Sequence, residues 1–259
     1  MDLKLTGKKV FISGSTKGIG YATAKTLAEE DARVIINGRT RDSVDEAVKR
    51  MNKDLDRPAV MGLACDFSRP EEVVRLIEKI GDVEVLINNV GIFENKDFAD
   101  ITDADWNEIY QVNVMSGVRL SRAFLPKMLE KNRGRIIFIS SESAINIPPG
   151  MIHYGLSKTA LLALSRGLAK ITEGSAVTVN SILPGPTKTE GFEKSIPKNQ
   201  PVEEFEEKFF KKARPTSIIK RFADPQEVAN LAAYVASPLS SATNGASLRV
   251  DGGVVDTIY

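Results

Sequence analysis

Short runs of β-branched and other apolar residues alternate with longer segments of helical periodicity along nearly the whole chain, and this alternation most constrains the fold. Strands are expected near 9–13, 33–37, 59–64, 83–88, 135–140, 178–183 and 247–250. Their apolar runs are almost unbroken, as strands require when helices cover both faces of a sheet. Repeats of this kind build βαβ units with parallel pairing. The expected fold class is therefore α/β, a doubly wound seven-stranded parallel sheet with helices on both faces.

The 259 residues suit one large α/β domain spanning 1–259, since no Gly-, Ser- or Pro-rich linker and no internal repeat divides them. Two helix starts look like capping boxes, Ser68-x-x-Glu71 and Asp224-Pro225-Gln226-Glu227, the second with proline at its first helical position. The segment 185–221 breaks the alternation. It holds four prolines, a run of charges and Phe192, Phe205, Phe209 and Phe210, which predicts an insertion with one short helix. Two readings stay open for it: a mobile flap over a ligand, or a surface excursion whose phenylalanines pack on the core. Helices at 103–131 and 152–172 carry apolar residues around more than one face, which predicts a subunit interface.

Hydrophobic residues make up 42%, charged residues 27%, and the net charge is +1. Without a basic excess, neither nucleic acid nor an anionic membrane surface is an expected partner. A small molecule is. The single cysteine, Cys65, is read as a small buried hydrophobe rather than a reactive thiol. No apolar run approaches the roughly 20 residues of a membrane span, and the start lacks a long apolar leader. A cytoplasmic protein is expected. No cluster of His, Cys or carboxylates has metal-ligand spacing, so no metal is expected.

Directly after the first strand stands Gly14-Ser15-Thr16-Lys17-Gly18-Ile19-Gly20, followed by a helical run. Glycines there permit a tight turn and close approach to a pyrophosphate, and the helix N-terminus offers free N–H groups to its oxygens. The spacing G-x-x-x-G-x-G resembles that of the short-chain dehydrogenase/reductase family. Asn88-Asn89-Val90-Gly91 is similar to the family's Asn-Asn-Ala-Gly beside the cofactor, with valine for alanine, and Ser13 stands where the family usually has threonine. The resemblance runs essentially the whole length, to Arg249-Val250-Asp251-Gly252-Gly253. It implies a Rossmann fold that binds NADP (NADPH) and assembles as a homodimer or homotetramer.

Tyr154 and Lys158 lie four residues apart, hence on one helical face. Reducing a carbonyl or oxidising an alcohol requires a positioned acid/base, and a lysine cation beside a phenol favours the phenolate. The resemblance adds Ser141, whose hydroxyl would donate to the substrate oxygen, and Asn113, which would hold a water extending a proton relay from the lysine. It also implies cofactor contacts from the turn residues, Asp66 at the adenine, Phe67, Asn89, Gly91, Tyr154, Lys158, and Pro184, Gly185, Thr187 and Thr189 at the nicotinamide end. Asp66 could equally be a turn or capping aspartate, and Asn113 a buried helix-distorting amide. His153 should leave Tyr154's face and serve as pocket rim or packing. Gly38 stands at the usually acidic end of the second strand, and Arg39 and Lys17 are cations there, which selects NADP(H).

The resemblance thus implies an NADP(H)-linked oxidoreductase on a small, partly apolar carbonyl or alcohol. One alternative is a 3-oxoacyl-[acyl-carrier-protein] reductase, which would dock its acidic carrier on cations such as Lys131 and Arg133, although Glu173-Gly174-Ser175 supplies none at the second place. The other is a cofactor-binding protein without turnover, which would be expected to lose Tyr154 or Lys158.

Overall fold

The computed structural model describes residues 1–193, 196–197 and 200–258. Strands β1 (Lys9–Ile12), β2 (Arg33–Gly38), β3 (Val60–Ala64), β4 (Val85–Asn88), β5 (Gly134–Ile139), β6 (Val177–Pro184) and β7 (Ser247–Val250) form one sheet. Its order is β3-β2-β1-β4-β5-β6-β7 and each pairing is parallel. Between them run α1 (Gly18–Glu29), α2 (Arg41–Asp54), α3 (Pro70–Ile80), α4 (Asp103–Tyr110), α5 (Ser116–Glu130), α6 (Ile152–Ile171), α7 (Glu190–Glu193), α8 (Val202–Lys212) and α9 (Pro225–Ala236). The strand order reverses between β1 and β4, so a crevice opens beyond their carboxyl ends, where open α/β sheets bind ligands.

Alternation along the strands divides the core in two. Val10 and Ile12 join α1, α2 and α9 through Leu27, Met51 and Val228. Phe11, between them, points the other way and packs with Leu76, Phe124 and Leu161 of α3, α5 and α6. A side chain such as Phe124, 1% exposed, contributes about 1.5–3 kcal/mol by leaving water. The two edge strands depart from the expected full burial, with Met61 of β3 59% exposed. Helices cover the centre of the sheet more completely than its margins.

Three local expectations are corrected. Ser68-x-x-Glu71 is not a capping box: the helix starts at Pro70 with Arg69 as N-cap and no side-chain cap. Proline, lacking an N–H and fixed in φ, takes the first helical position, and the Ser68 hydroxyl instead donates to Asp66 Oδ1 at 2.7 Å. Asp224 does form its box with Glu227. Among its described residues the insertion holds two helices, α7 and α8, where one was expected. Its phenylalanines neither flank the main core nor stand free; Phe192, Phe205, Phe209 and Phe210 pack with Phe222 as a separate aromatic cluster, with ring centroids 4.7–6.4 Å apart.

Candidate active site

Each glycine of the turn after β1 is required for a different reason. Gly14 has φ +62°, and a Cβ there would stand 2.8 Å from Val90 Cα. One on Gly20 would meet Asn89 Nδ2 and Gly14 O at 2.5 Å. Gly18, at φ +57°, lies under the Thr189 methyl. Lys17 is the N-cap of α1 and makes no capping bond, so the helix N-terminus is left uncapped at the crevice. Thr16, Lys17, Gly18 and Ile19 line this end, and a pyrophosphate would find its donors there.

Other expected contact residues build the turn. Ser15 donates its N–H to Asn37 O and its hydroxyl to Ile12 O, both at 2.7 Å, so both of its donors are engaged within the fold. Asn89 donates through Nδ2 to Ser13 O (3.0 Å) and Gly14 O (2.7 Å), while Ser13 Oγ accepts from the N–H groups of Asn89 and Val90. Sequence reasoning missed Asn37 and Arg50. Buried Asn37 joins the turn to β3, accepting from Gly14 N and donating to Leu63 O. Arg50 on α2 donates to Thr16 O at 3.3 Å and lies over the Tyr21 ring. Nothing in the local sequence marks either.

Asp66 takes the turn role that was one of its two readings, with Oδ1 accepting from Ser68 N and Oγ. The ring of Phe67 belongs to the core. Pro184 ends β6 fully buried, Gly185 N donates to Val250 O at 2.9 Å, and Thr187 donates to Gly185 O at 2.9 Å. Thr189 accepts from Phe192 N at the start of α7. Cys65 is 2% exposed and burial pushes its thiol up to about 12, as a packing residue requires.

At the ends of β4 and β5 the four expected catalytic positions converge. Ser141 follows β5 and caps a short 3-10 turn, accepting from Ser143 N at 3.1 Å. Tyr154 and Lys158 occupy the first turns of α6. Lys158 is 4% exposed; its Nζ donates to Ile139 O at 3.0 Å and lies 5.6 Å from the Tyr154 ring centre. Asn113 lies in a π-helical stretch, Gln111–Met115, between α4 and α5, so the helix is distorted there, a device common at functional sites. Its side chain clamps Ile92 through both backbone groups, at 2.8 and 2.9 Å, and donates to Ser157 Oγ at 3.0 Å. A Cβ on Gly91 would approach Lys158 Nζ to 3.2 Å and Asn113 Oδ1 to 3.5 Å, so glycine keeps this junction open.

Electrostatics at Tyr154 differ from the expectation of a phenolate favoured by lysine. Burial pushes the phenol up to about 12; Ser141 pulls it down as a hydrogen-bond partner, Glu142 adds to the rise and Arg214 opposes it. The Lys158 ammonium, also desolvated, is pushed down to about 8. For both groups the largest influence is loss of water. His153 is 1% exposed and packs edge-on against Trp106 at 5.8 Å, away from this chemistry. Phe93, which sequence reasoning missed, meets the Tyr154 ring edge-on at 6.1 Å while 55% exposed. Among the described residues no group of His, Cys, Asp or Glu could hold a metal.

The cost of burying Lys158 is testable. Its folded pKa lies below the unfolded value of 10.5, so the full cost is present below pH 8 and declines as pH rises toward 10.5. A gap of that size corresponds to about 3 kcal/mol, less about 1 for the bond to Ile139. Lys158→Met is therefore expected to raise Tm by about 4–8 °C at pH 7 while lowering activity. A fall in Tm by calorimetry would contradict this.

A doubly wound parallel sheet, a glycine turn at its switch point and a Ser-Tyr-Lys group beside it define a dinucleotide-linked oxidoreductase. A family model described as enoyl-(acyl carrier protein) reductase matches residues 14–255. The chain is 48% identical to the uncharacterized oxidoreductase YvrD of Bacillus subtilis, with all of both chains covered. It is 32% identical to dehydrogenase/reductase SDR family member 4 of Caenorhabditis elegans, over 97% of this chain and 96% of that one. Among solved structures, L-sorbose reductase of Gluconobacter frateurii, complexed with NADPH and L-sorbose, aligns with a TM-score of 0.88 at 29% identity over all of both chains. The chain belongs to the short-chain dehydrogenase/reductase family.

Proposed function

We propose that this oxidoreductase uses NADP(H) to interconvert a small, partly apolar carbonyl compound and its alcohol, with Tyr154 as acid/base. The observation that carries the reading is the grouping of Ser141 with Tyr154 and of Lys158 beside the Tyr154 ring, with Gly91 and Asn113 at the lysine. The residues fit the dinucleotide: an uncapped helix N-terminus faces the crevice, and Gly14 and Gly20 let the turn pack tightly against Val90 and Asn89. When bound, the nicotinamide supplies the hydride donor or acceptor. Ser141 donates a hydrogen bond to the reacting oxygen, and Tyr154 donates its proton as charge develops there. A phenol pushed up to about 12 holds that proton at neutral pH, as a donor to a carbonyl oxygen must. Lys158, anchored on Ile139 O, and Asn113 stand behind the phenol on the route by which its proton would be replaced.

Exposed Phe93, Ile145 and Ile147 edge the mouth, which suits an apolar group on the substrate. For the acyl-carrier alternative, Lys131 and Arg133 pair with Asp82 and Glu84 but remain 43% and 62% exposed, and surface pairs of this kind exchange readily, so a substrate panel rather than these contacts decides between the two readings. The test is a panel of cyclohexanone, hydroxyacetone, ethyl acetoacetate, a ketose and an acetoacetyl thioester, assayed with NADPH. Turnover of a free ketone faster than the thioester supports the reading. NADPH binding without any turnover would replace it with the cofactor-binding alternative.

No described helix is long and apolar enough to cross a membrane. Assembly through α4 and α6 is supported by apolar side chains they leave exposed, Tyr110 on the first and Leu156 and Ile171 on the second, whereas α5 leaves no large apolar side chain exposed. Light scattering at micromolar concentration is expected to give two or four subunits of 28.3 kDa; the mass of one would rule this out.

A further inference from the structure

Beside the candidate site lies an ion pair that the mechanism above does not use. Glu142, next to Ser141, is 3% exposed, and Arg214 follows α8 at the end of the insertion's second helix. Arg214 Nε donates to Glu142 Oε1 at 2.8 Å, with side chains 12% and 3% exposed. Its Nη2 reaches Ser143 Oγ at 3.5 Å, and its guanidinium lies 5.8 Å from the Phe209 ring centre. A continuous line of contacts thus runs from the aromatic cluster of the insertion through Arg214 to Glu142 and Ser143. These are the two residues that follow Ser141, and the Ser143 N–H donates to the Ser141 hydroxyl. A buried pair of this kind adds little net stability over apolar residues of the same volume, but loss of one partner strands the other.

We infer that Arg214 is a positioning residue for the reaction: it clamps the Glu142–Ser143 turn that sets the Ser141 hydroxyl beside Tyr154, and so makes docking of the insertion a condition for turnover. The inference rests on the Ser141–Tyr154 reading above. The charged groups facing Tyr154 are Glu142, Arg214 and Lys158, and those acting on Glu142 are Arg214 and Asp251. Removing the Arg214 cation should make the phenolate harder to form, and removing the Glu142 carboxylate should make it easier. A residue that only supports the fold would not shift the titration in opposite directions in the two variants.

The experiment uses Arg214→Met, Arg214→Lys and Glu142→Gln, with the panel ketone turned over fastest and its alcohol. Arg214→Met is expected to lower kcat about 10- to 100-fold with the NADPH dissociation constant within about twofold of wild type. Arg214→Lys should recover most of that loss. In alcohol oxidation, where Tyr154 must lose its proton, the rising limb of kcat/KM should move to higher pH in Arg214→Met and to lower pH in Glu142→Gln. If Arg214→Met does not fold, Arg214→Lys and Glu142→Gln carry the test: near-normal kcat in the first and a lowered limb in the second support the inference. Limbs that stay in place, or a kcat unchanged in Arg214→Met, overturn it. Tyr154→Phe run alongside separates the two failures, since full activity there would sink the underlying reading instead.

Discussion

Tyr154→Phe is expected to lower kcat for carbonyl reduction by about 10²- to 10⁴-fold, the range that a positioned acid/base contributes, while NADPH binds within about twofold of wild type. The substitution deletes one oxygen. The ring keeps its edge-on contact with Phe93, and the anchoring of Lys158 on Ile139 O does not involve the phenol. Ser141 remains to polarise the carbonyl, so a residual rate above that of solution is expected. With a phenol near 12, the wild-type rate of reduction should be flat across neutral pH and fall only in alkali, as the donor loses its proton. Near-wild-type turnover in the variant would remove Tyr154 from the chemistry. Loss of NADPH binding equal to the loss of rate would make its role structural.

Which parts of this site were legible in the sequence follows a physical division. Glycines that must admit a backbone or a neighbouring side chain leave a fixed spacing, so the turn from Gly14 to Gly20 could be read directly. Tyr154 and Lys158 could be paired because a helix places residues four apart on one face. The roles of Ser15, Asn89 and Asp66 were harder. A short polar side chain at a strand end can face a ligand or bond its own backbone, and local sequence does not distinguish these; here Ser15 and Asn89 hold the turn together, and Asp66 bonds Ser68. Arg214 and Glu142 are 72 positions apart, in segments whose meeting depends on how the insertion packs. Periodicity carries no information about such a contact. The titration of Tyr154 is hard to read for a related reason, because burial, a tertiary property, is its largest influence.

Preference for NADP(H) is the second large effect expected, and the geometry around Gly38 bears on it. Selection of NAD(H) usually relies on a carboxylate at the end of the second strand, accepting from the ribose hydroxyls and repelling a 2′-phosphate. A Cβ on Gly38 would stand 2.5 Å from Thr16 Cγ2, with Ser43 Oγ and Val44 Cγ2 at 3.1 Å. An acidic side chain there would have to push the Thr16 methyl aside. Arg39 and Lys17 are both exposed at this end; the Asp66 carboxyl, raised by burial, is lowered overall by its bonds to Ser68, with Arg69 and then Arg39 adding smaller effects. A charge-assisted contact contributes about 1.5–3 kcal/mol when sheltered, less where water and salt screen it. On that basis the wild type should bind NADPH about 100-fold more tightly than NADH at low salt. Arg39→Ala should weaken NADPH about tenfold and leave NADH unchanged, and adding Lys17→Ala should bring the two cofactors close to parity. Raising salt should narrow the wild-type preference, because both cations are in solvent. Dissociation constants for the two cofactors, measured by calorimetry at low and high salt in the three proteins, decide the matter. Equal affinities in the wild type, or an Arg39→Ala protein that binds NADPH as tightly as before, would show that the two cations are ordinary surface charges.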